Sequence, residues 1–356
     1  MCTRHPVLSP SARGEMSVSV AMATYNGARF LEKQLDSIVS QTVPPSEIVI
    51  CDDASSDGTA SIVGEFAARS PVPIRFERNA VNLGYADNFF KAASLTTHPY
   101  IAFSDQDDIW RRDKIERSLA AIRDGGAVMA VHTATLIDAA GEPVGEMRRH
   151  IDGSRTVPPC TLEPWTMFWG FAQTFDRRLL DLLPHDRATR GSDSNAPENA
   201  LGHDGWTSFL AGSFGKIALL DEPLVGYRQH SANVFGFQNR NFVGKIRAKM
   251  ADEPSRVRRV AWLVDIALHR LTMLDAHAAD DPRFVAPVAH WRRIHRHCAA
   301  RRDLNTSKRA LGRVGHLAVN LARGTYRHPS DGGLGVDRLM EDATLGLLGH
   351  LRFGAN

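Results

Sequence analysis

Short apolar runs alternate with amphipathic segments through the first part of the chain. The apolar runs predict buried strands at 17–23, 47–51, 74–76 and 100–104. The intervening segments, at 30–39, from 57 onward and at 87–95, place apolar side chains three and four positions apart, which is typical of helices. Since strand and helix alternate at this spacing, we predict an α/β fold whose mainly parallel sheet carries helices on both faces.

Beyond the fourth strand the alternation continues and then gives way to helices. Further elements are expected as strands at 127–136, 166–174 and 216–220, a polar loop at 187–201 and a helix at 203–212. From about residue 241 the pattern is that of amphipathic helices, most clearly at 257–274 and 290–300. We therefore predict a disordered tail at 1–15, an α/β domain at 16–239 and a mainly helical region at 240–356.

Charge changes at the same boundary. Residues 1–239 carry 22 Lys and Arg against 29 Asp and Glu, whereas residues 240–356 carry 21 against 11. A basic, amphipathic C-terminal region is consistent with peripheral contact with anionic lipid, with packing against the preceding domain or a second subunit, or with a solvated arginine-rich surface. No nucleic-acid-binding motif accompanies it, so we expect no nucleic-acid partner.

Composition excludes several other classes of protein. With 43% apolar and 23% charged residues the chain is globular, and no apolar run reaches the length of a membrane-spanning helix. The four cysteines are scattered without a C-x-x-C pair, which argues against a C-x-x-C zinc finger and against a disulfide framework. The first 15 residues lack the apolar core of a signal peptide. We expect a cytoplasmic protein, with the inner face of the plasma membrane as the site of any peripheral attachment.

Acidic and amide side chains follow the predicted strands. Clusters come after the first, second and fourth strands, at 24–27, 52–58 and 105–108, and an Asn-x-Gly turn follows the third at 82–84. Ligands of open α/β sheets bind at the carboxyl ends of strands, so these clusters are expected at one edge. Gathered carboxylates repel one another unless a cation relieves them, and Mg²⁺ or Mn²⁺ prefers carboxylate and diphosphate oxygens. The P-loop and the G-x-G-x-x-G fingerprint are both absent.

These motifs, in this order, resemble the family 2 glycosyltransferases, inverting enzymes with the GT-A fold, a Rossmann-like α/β architecture. The matching segments span about residues 17–237, and they read Thr24-Tyr-Asn-Gly27, Ser37-Ile-Val-Ser-Gln-Thr42, Asp52-Asp-Ala-Ser-Ser-Asp-Gly-Thr59, Asn82-Leu-Gly84 and Asp105-Gln-Asp107. The resemblance implies transfer of a sugar from a nucleotide diphosphate to an acceptor hydroxyl of a glycan or a lipid-linked saccharide.

The resemblance also implies a donor site. Thr24, Tyr25 and Asn26 would lie near the nucleotide base. Asp53, together with Asp52, would accept the pyrimidine N3–H, for which a carboxylate is the suitable acceptor. Further donor contacts are implied for Asn82, Gly84, Asp105, His203 and Arg228.

The catalytic and metal-binding residues follow from the same motifs. Asp107 would bind the Mg²⁺ or Mn²⁺ that bridges the diphosphate, with Asp105 and His230 completing that site. Asp204, near the start of a predicted helix, would take the proton of the acceptor hydroxyl, although an acid at this position is also a common helix cap. The acceptor is expected beside 166–173 and 187–201, where Trp165, Trp169 and Trp206 are either sugar-stacking or core residues.

The last motifs point to a subgroup and leave alternatives open. His203-Asp-Gly-Trp206 and Tyr227-Arg-Gln-His-Ser-Ala-Asn-Val234 are similar to bacterial rhamnosyltransferases of polysaccharide assembly in the cell envelope. We therefore favour dTDP-L-rhamnose as donor, with a UDP-sugar as the alternative. A nucleotidyltransferase is less favoured because the turn at 24–29 lacks its glycine-rich, basic form. An inactive nucleotide-sugar-binding paralogue is less favoured because Asp105, Asp107 and Asp204 are all present.

Overall fold

The predicted α/β domain is present in the computed structural model, which describes Leu8, residues 16–186, Arg190, residues 201–230 and residues 253–346. Its strands are β1 (Val18–Thr24), β2 (Glu47–Asp52), β3 (Ile74–Arg78), β4 (Tyr100–Ser104), β5 (Ile109–Trp110), β6 (Met129–Ile137), β7 (Pro143–Met147), β8 (Arg155–Val157), β9 (Gln173–Asp176) and β10 (Ile217–Arg228). Its helices are α1 (Leu31–Val39), α2 (Thr59–Ala67), α3 (Tyr85–Ser94), α4 (Lys114–Gly125) and α5 (His203–Phe214).

All ten strands belong to one sheet. Its order is β3-β2-β1-β4-β9-β6-β10-β5, with β7 beside β6 and β8 beside β10. The neighbours β3, β2, β1 and β4 run parallel, as does the long β6–β10 pair, whereas β5, β7, β8 and β9 pair antiparallel. The longer ladders are thus parallel, as predicted, and the carboxyl ends of β1, β2 and β4 lie side by side.

The two faces of the sheet enter two hydrophobic cores. Val20 and Met22 of β1 share a core with Leu35 of α1, while Ala21 between them shares the other core with Phe89 of α3. This split follows from the alternation of side chains along a strand. Residues of α2 and α4 join the first core and those of α5 join the second, so the prediction of helices on both faces is confirmed.

Two strands differ from their sequence-based prediction. The strand expected at 166–174 begins only at Gln173, because residues Gly170–Ala172 form a 3₁₀ turn. The strand expected at 216–220 continues to Arg228, with its register shifted on both sides of Pro223. Proline has no N–H to donate to a ladder, so a proline in the sequence predicts that the strand ends before it. In the structure the strand continues past Pro223 after an irregularity.

The C-terminal helices are α6 (Glu253–Asp275), α7 (Val285–Thr306), α8 (Ala310–Ala322) and α9 (Val336–Glu341). The apolar face predicted on α6 is buried in the same core as α5. The Trp291 indole of α7 donates to Ser213 Oγ of α5 over 3.1 Å, and the buried Arg270 guanidinium lies 4.7 Å from the ring centroids of Phe209 and Trp291. Packing against the α/β domain therefore accounts for the apolar faces of α6 and α7. No helix within the described ranges combines the length and apolar character needed to cross a bilayer.

Two predictions fall largely outside the described residues. Within the predicted tail at 1–15, Leu8 is described: it is buried, and its N–H donates to the Phe214 carbonyl over 2.9 Å. Within the predicted loop at 187–201, Arg190 and Leu201 are described. Arg190 is buried, forms an ion pair with Asp87 of α3 and lies over the Phe90 ring at 4.8 Å. Arg190 thereby ties the start of α5 to α3.

Candidate active site

Parallel pairing brings the three predicted turns to one edge of the sheet. The register places Thr24 opposite Asp52, and Met22 opposite Ser104. The segments that follow, beginning at Tyr25, Asp53 and Asp105, therefore emerge next to one another. This is the edge at which open α/β sheets bind ligands.

Thr24 and Asp52 form the buried base of this edge. The Thr24 hydroxyl donates to Asp52 Oδ1 over 2.9 Å, and Ser55 donates through its hydroxyl to Oδ1 and through its N–H to Oδ2. Both predicted donor residues are almost inaccessible, with 1% and 0% of their surface exposed. A direct donor contact through these two side chains is therefore corrected: they shape the turn from beneath, because their polar atoms already bond one another.

Asp53 holds the Asn82-Leu83-Gly84 turn. Its Oδ1 accepts from the Leu83 N–H at 2.7 Å and from the Asn79 amide at 2.8 Å, and its Oδ2 accepts from the Gly84 N–H at 2.9 Å. Gly84 has a φ of 85°, a conformation that glycine adopts without strain. The Asp53 side chain is itself buried, at 2% exposed, and these three bonds leave about one of the four acceptor positions of a carboxylate.

Gln106, for which the sequence patterns predict no role, links the first turn to the Asp-x-Asp motif. Gln106 accepts from the Tyr25 N–H at 2.8 Å and donates to the Tyr25 carbonyl at 3.0 Å. A side chain at Gly27 would collide with Gln106. Asn26 has a φ of 48°, and its side-chain oxygen accepts from the Ser56 N–H at 2.9 Å. The Tyr25 side chain remains 53% exposed at the edge of the sheet.

Asp107 and His230 come together from distant parts of the sequence. His230 Nε2 lies 2.7 Å from Asp107 Oδ2, and the two side chains are 11% and 15% exposed. The Phe30 ring packs beside the imidazole, with centroids 5.0 Å apart. The pair combines one oxygen and one nitrogen donor at a partly open position, which is suitable for a divalent cation.

Arg228 lies beneath that pair and is 1% exposed. Its guanidinium donates to the carbonyls of Asp107 (2.7 Å), Asp138 (2.9 Å) and Ala139 (3.0 Å), and its N–H donates to Asp108 Oδ1 (3.0 Å). The expected donor contact of Arg228 is therefore corrected to a supporting role. It fixes the Asp107 turn to the end of β10 because one planar guanidinium reaches three carbonyls.

Buried charges surround the Asp-x-Asp motif. Burial and the neighbouring Asp107 and Asp204 raise the pKa of Asp105 to about 7, and burial raises the pKa of Asp108 well above its usual value. Lys114, the first residue of α4, is fully buried with its amine 3.6 Å from the Trp110 ring centroid, and burial lowers its pKa to about 7. The burial of Lys114 is not predictable from the sequence, since a lysine in the first turn of a helix is ordinarily solvated.

Asp204 faces the same cleft from the first turn of α5. Its Oδ1 accepts from the Gly205 N–H at 2.8 Å, and its charge raises the pKa of Asp105. Arg149, also absent from the predicted site, interacts electrostatically with Asp204 and lies 4.7 Å from the Trp169 ring centroid. Acids far apart in the chain therefore share one electrostatic environment.

His203 and two of the tryptophans serve packing. The His203 ring is 5% exposed, stacks on Phe89 at 3.9 Å and meets Phe103 edge-on, so its expected donor contact is corrected. Trp206 is 0% exposed in the core. Trp165 packs against Trp291 of α7, with centroids 5.9 Å apart. Trp169, the third candidate for sugar stacking, lies next to Arg149.

The chain matches known proteins over the same region. The family model described as Glycosyl transferase family 2 matches residues 19–183. An uncharacterized glycosyltransferase of Nostoc sp., alr2836, is 28% identical over 232 residues, which are 61% of this chain and 66% of that protein. The dTDP-rhamnosyl transferase RfbG of Shigella flexneri is 42% identical over 102 residues, 28% of this chain and 35% of that protein. This chain thus spans less than two thirds of the length of either relative.

Solved structures share the fold. The crystal structure of S. aureus TarS 1-349 has a TM-score of 0.53 at 16% identity, with 94% of this chain and 87% of that chain covered. The same protein in complex with UDP has a TM-score of 0.52 at 16% identity, with coverages of 80% and 71%. Residues 19–183, which carry the motifs at the carboxyl edge of the sheet, thus match glycosyl transferase family 2, and the chain shares its GT-A-like fold with these solved structures.

Proposed function

We propose that this chain is an inverting glycosyltransferase that moves a sugar from a nucleotide diphosphate to a hydroxyl of a glycan or a lipid-linked saccharide. The observation that carries the proposal is the convergence of Asp105, Asp107 and Asp204 in one electrostatic neighbourhood at the carboxyl edge of the sheet. The family 2 match over residues 19–183 supports the same reaction class.

The nucleotide binds beside Tyr25, Asn26 and the Asn82–Gly84 turn. The exposed Tyr25 ring offers a stacking surface, and the remaining acceptor position of Asp53 suits an imide N–H such as that of a pyrimidine. The partial match to a dTDP-rhamnosyl transferase supports dTDP-L-rhamnose as donor. The likeness to TarS, whose structure contains UDP, supports a UDP-sugar as the alternative.

Asp107 and His230 would hold a divalent cation, Mg²⁺ or Mn²⁺, and Asp105 is the further ligand that the motif implies. Their donor atoms are adjacent, since Nε2 and Oδ2 form a hydrogen bond of 2.7 Å, and that bond would open for both atoms to bind one cation. Among the described residues no three His, Cys, Asp or Glu side chains form a metal cage. Asp105 therefore does not complete a three-ligand group with Asp107 and His230, and the remaining ligands would come from water and diphosphate oxygens, as they commonly do for Mg²⁺. A cation bound there neutralises charge on the diphosphate.

Asp204 acts as the general base. It accepts the proton of the acceptor hydroxyl while the hydroxyl oxygen attacks the anomeric carbon on the face opposite the diphosphate. One C–O bond forms as the other breaks, the electron pair leaves with the diphosphate, and the configuration inverts. The N-terminal turn of α5 and the Gly205 N–H favour the ionised carboxylate.

Replacement of the base tests the reaction. Asp204→Asn should lower turnover at least about 100-fold, because general-base catalysis typically contributes this much. Nucleotide binding should persist, since the Tyr25 and Asp53 turns are unchanged. Release of nucleoside diphosphate from a panel that includes dTDP-L-rhamnose and UDP-sugars measures turnover, and calorimetry measures binding. Asp124→Asn, at an exposed acid of α4, is the control.

Turnover of Asp204→Asn equal to wild type would remove Asp204 from this role. Release of pyrophosphate from a nucleoside triphosphate would identify a nucleotidyltransferase instead. Donor binding by the wild type without any turnover across acceptors would identify a binding paralogue.

Replacement of the metal ligand tests the cation separately. Asp107→Ala should abolish the part of donor binding that depends on Mg²⁺ or Mn²⁺, because it removes the carboxylate that lies next to His230 and leaves a single nitrogen donor of that pair. Titration of dTDP and UDP with and without each metal measures this part. Asp124→Ala, at an exposed acid of α4, is the matched control, and a metal response equal to wild type in Asp107→Ala would exclude the assigned ligand.

A further inference from the structure

Helix α8 (Ala310–Ala322) has its polar side inward and its apolar side outward. Arg313 and Asn320 are 4% and 2% exposed, and both donate to partly buried carbonyls: Arg313 Nε to Ser307 at 2.8 Å, Asn320 Nδ2 to Ala300 at 3.3 Å. On the opposite side, four apolar residues are open to solvent. They are Leu311, Val314, Val319 and Leu321, with 87%, 55%, 44% and 50% of their surface exposed. A surface helix of a globular protein normally shows the reverse arrangement.

The exposed apolar residues form a continuous stripe. Leu311, Val314, Ala318 and Leu321 are spaced by three, four and three positions, so they follow one another along one side of the helix. Val319 and Ala322 flank that side. We call this side, comprising Leu311, Val314, Ala318, Val319, Leu321 and Ala322, the outer face of α8.

The segment that contains α8 is basic between two exposed aspartates, Asp303 and Asp331. Residues 304–330 contain five Lys and Arg and no Asp or Glu. Lys308 and Arg309 precede the helix and Arg323 and Arg327 follow it, and all four are exposed. An apolar stripe with cationic ends is complementary to a surface that is apolar below and anionic above.

We propose that the outer face of α8 lies in the interfacial layer of an anionic membrane, with the basic residues at both ends of the helix on lipid phosphates. The apolar faces of α6 and α7 are buried against the α/β domain, so among the long C-terminal helices that the structure describes, α8 is the one with an open apolar face. A second copy of the chain fits less well. An antiparallel α8 pair brings Lys308 and Arg309 against Arg323 and Arg327, and a parallel pair sets like against like, so both repel.

Vesicle flotation of the full chain tests this placement. The wild type should float with vesicles of phosphatidylglycerol and phosphatidylcholine and should not float with vesicles of phosphatidylcholine alone. Salt at roughly 0.5 M should release it, because at that concentration screening limits charge interactions to a few ångström. Leu311→Gln with Leu321→Gln should reduce the floating fraction at least about tenfold, because the stripe loses its apolar contact. Leu268→Gln, at a leucine of α6 that is 46% exposed, is the control.

The basic ends and the folded state are tested in parallel. Arg323→Gln with Arg327→Gln should weaken flotation and reduce its dependence on salt, whereas Arg123→Gln on α4 should not. Circular dichroism and donor binding of each variant should match wild type, since the replaced side chains are exposed and far from the cleft. The proposal is overturned if the wild type fails to float, if Leu311→Gln with Leu321→Gln floats normally, or if sedimentation shows a wild-type dimer that this double variant dissociates.

Discussion

Adjacent residues of one motif perform different tasks in this protein. The Asp52 carboxylate accepts from Thr24 and Ser55 beneath the turn, whereas the Asp53 carboxylate accepts from the Leu83 and Gly84 backbone and so holds the neighbouring turn. His203 shows the same contrast with Asp204. The histidine is inserted among aromatic rings, and its neighbour, one position further around the helix, faces the acids of the cleft.

The buried His203 predicts how stability depends on pH. Burial lowers its pKa to about 3 in the folded chain, while an unfolded histidine titrates near 6.5. The unfolded state therefore binds the additional proton, and the stability contributed by His203 is complete above pH 6.5 and is lost as the pH falls toward 3. His203→Phe should flatten this fall by up to about 1.4 kcal/mol per pH unit.

Urea unfolding between pH 7 and pH 4.5 measures that slope. The aromatic replacement retains the stacking on Phe89, and His277→Gln, at an exposed histidine, is the control for loss of an imidazole. A slope in His203→Phe equal to that of wild type would show that another group dominates the acid sensitivity.

At the scale of elements, β10 delivers the parts that complete the site. The strand continues past the irregularity at Pro223 and ends at Arg228, two residues before His230. Arg228 binds the carbonyls of Asp107, Asp138 and Ala139, so the end of this strand sets the position of the Asp107 turn. A pattern within one strand or helix does not predict these contacts, because the carbonyls that Arg228 binds lie on two other segments of the chain.

Arg228→Lys tests that support. A lysine amine cannot reach three carbonyls as a planar guanidinium does, so the free energy of unfolding should fall by about 2–3 kcal/mol. Metal-dependent donor binding should weaken as well, because the Asp107 turn loses its anchor. Chemical denaturation and nucleotide titration measure the two effects, with Arg123→Lys as control. Unchanged stability together with unchanged binding would show that the turn holds without Arg228.

At the scale of the whole molecule, the α/β domain and the helices α6 and α7 share one core. Leu263, Val264 and Ile294 lie in the same cluster as Trp206 and Phe209 of α5, although a boundary near residue 240 is visible in charge and periodicity. The change in charge and periodicity near residue 240 therefore does not separate two hydrophobic cores. The helix that carries Asp204 is held between the sheet and the C-terminal helices.

We expect the chain to unfold in one transition. Trp291→Ala should lower the free energy of unfolding by about 3–5 kcal/mol, as the loss of a large buried aromatic side chain does, and should shift the circular dichroism and tryptophan fluorescence midpoints together. Val285→Ala, at an exposed residue of the same helix, is the control. Separate transitions for the two parts would show that the shared core does not couple them.

The sequence by itself determined the order of strands and helices through residue 104, the likeness to family 2 glycosyltransferases over residues 19–183 and the acids at the carboxyl edge. Periodicity and strand-end motifs are local in the chain, so they can be recognised without the fold. Tertiary structure decided the rest. It buried Lys114, Arg228 and His203, paired Asp107 with His230, and turned the polar side of α8 inward while covering the apolar sides of α6 and α7. Burial depends on which distant segments meet, and no spacing within one segment contains that information.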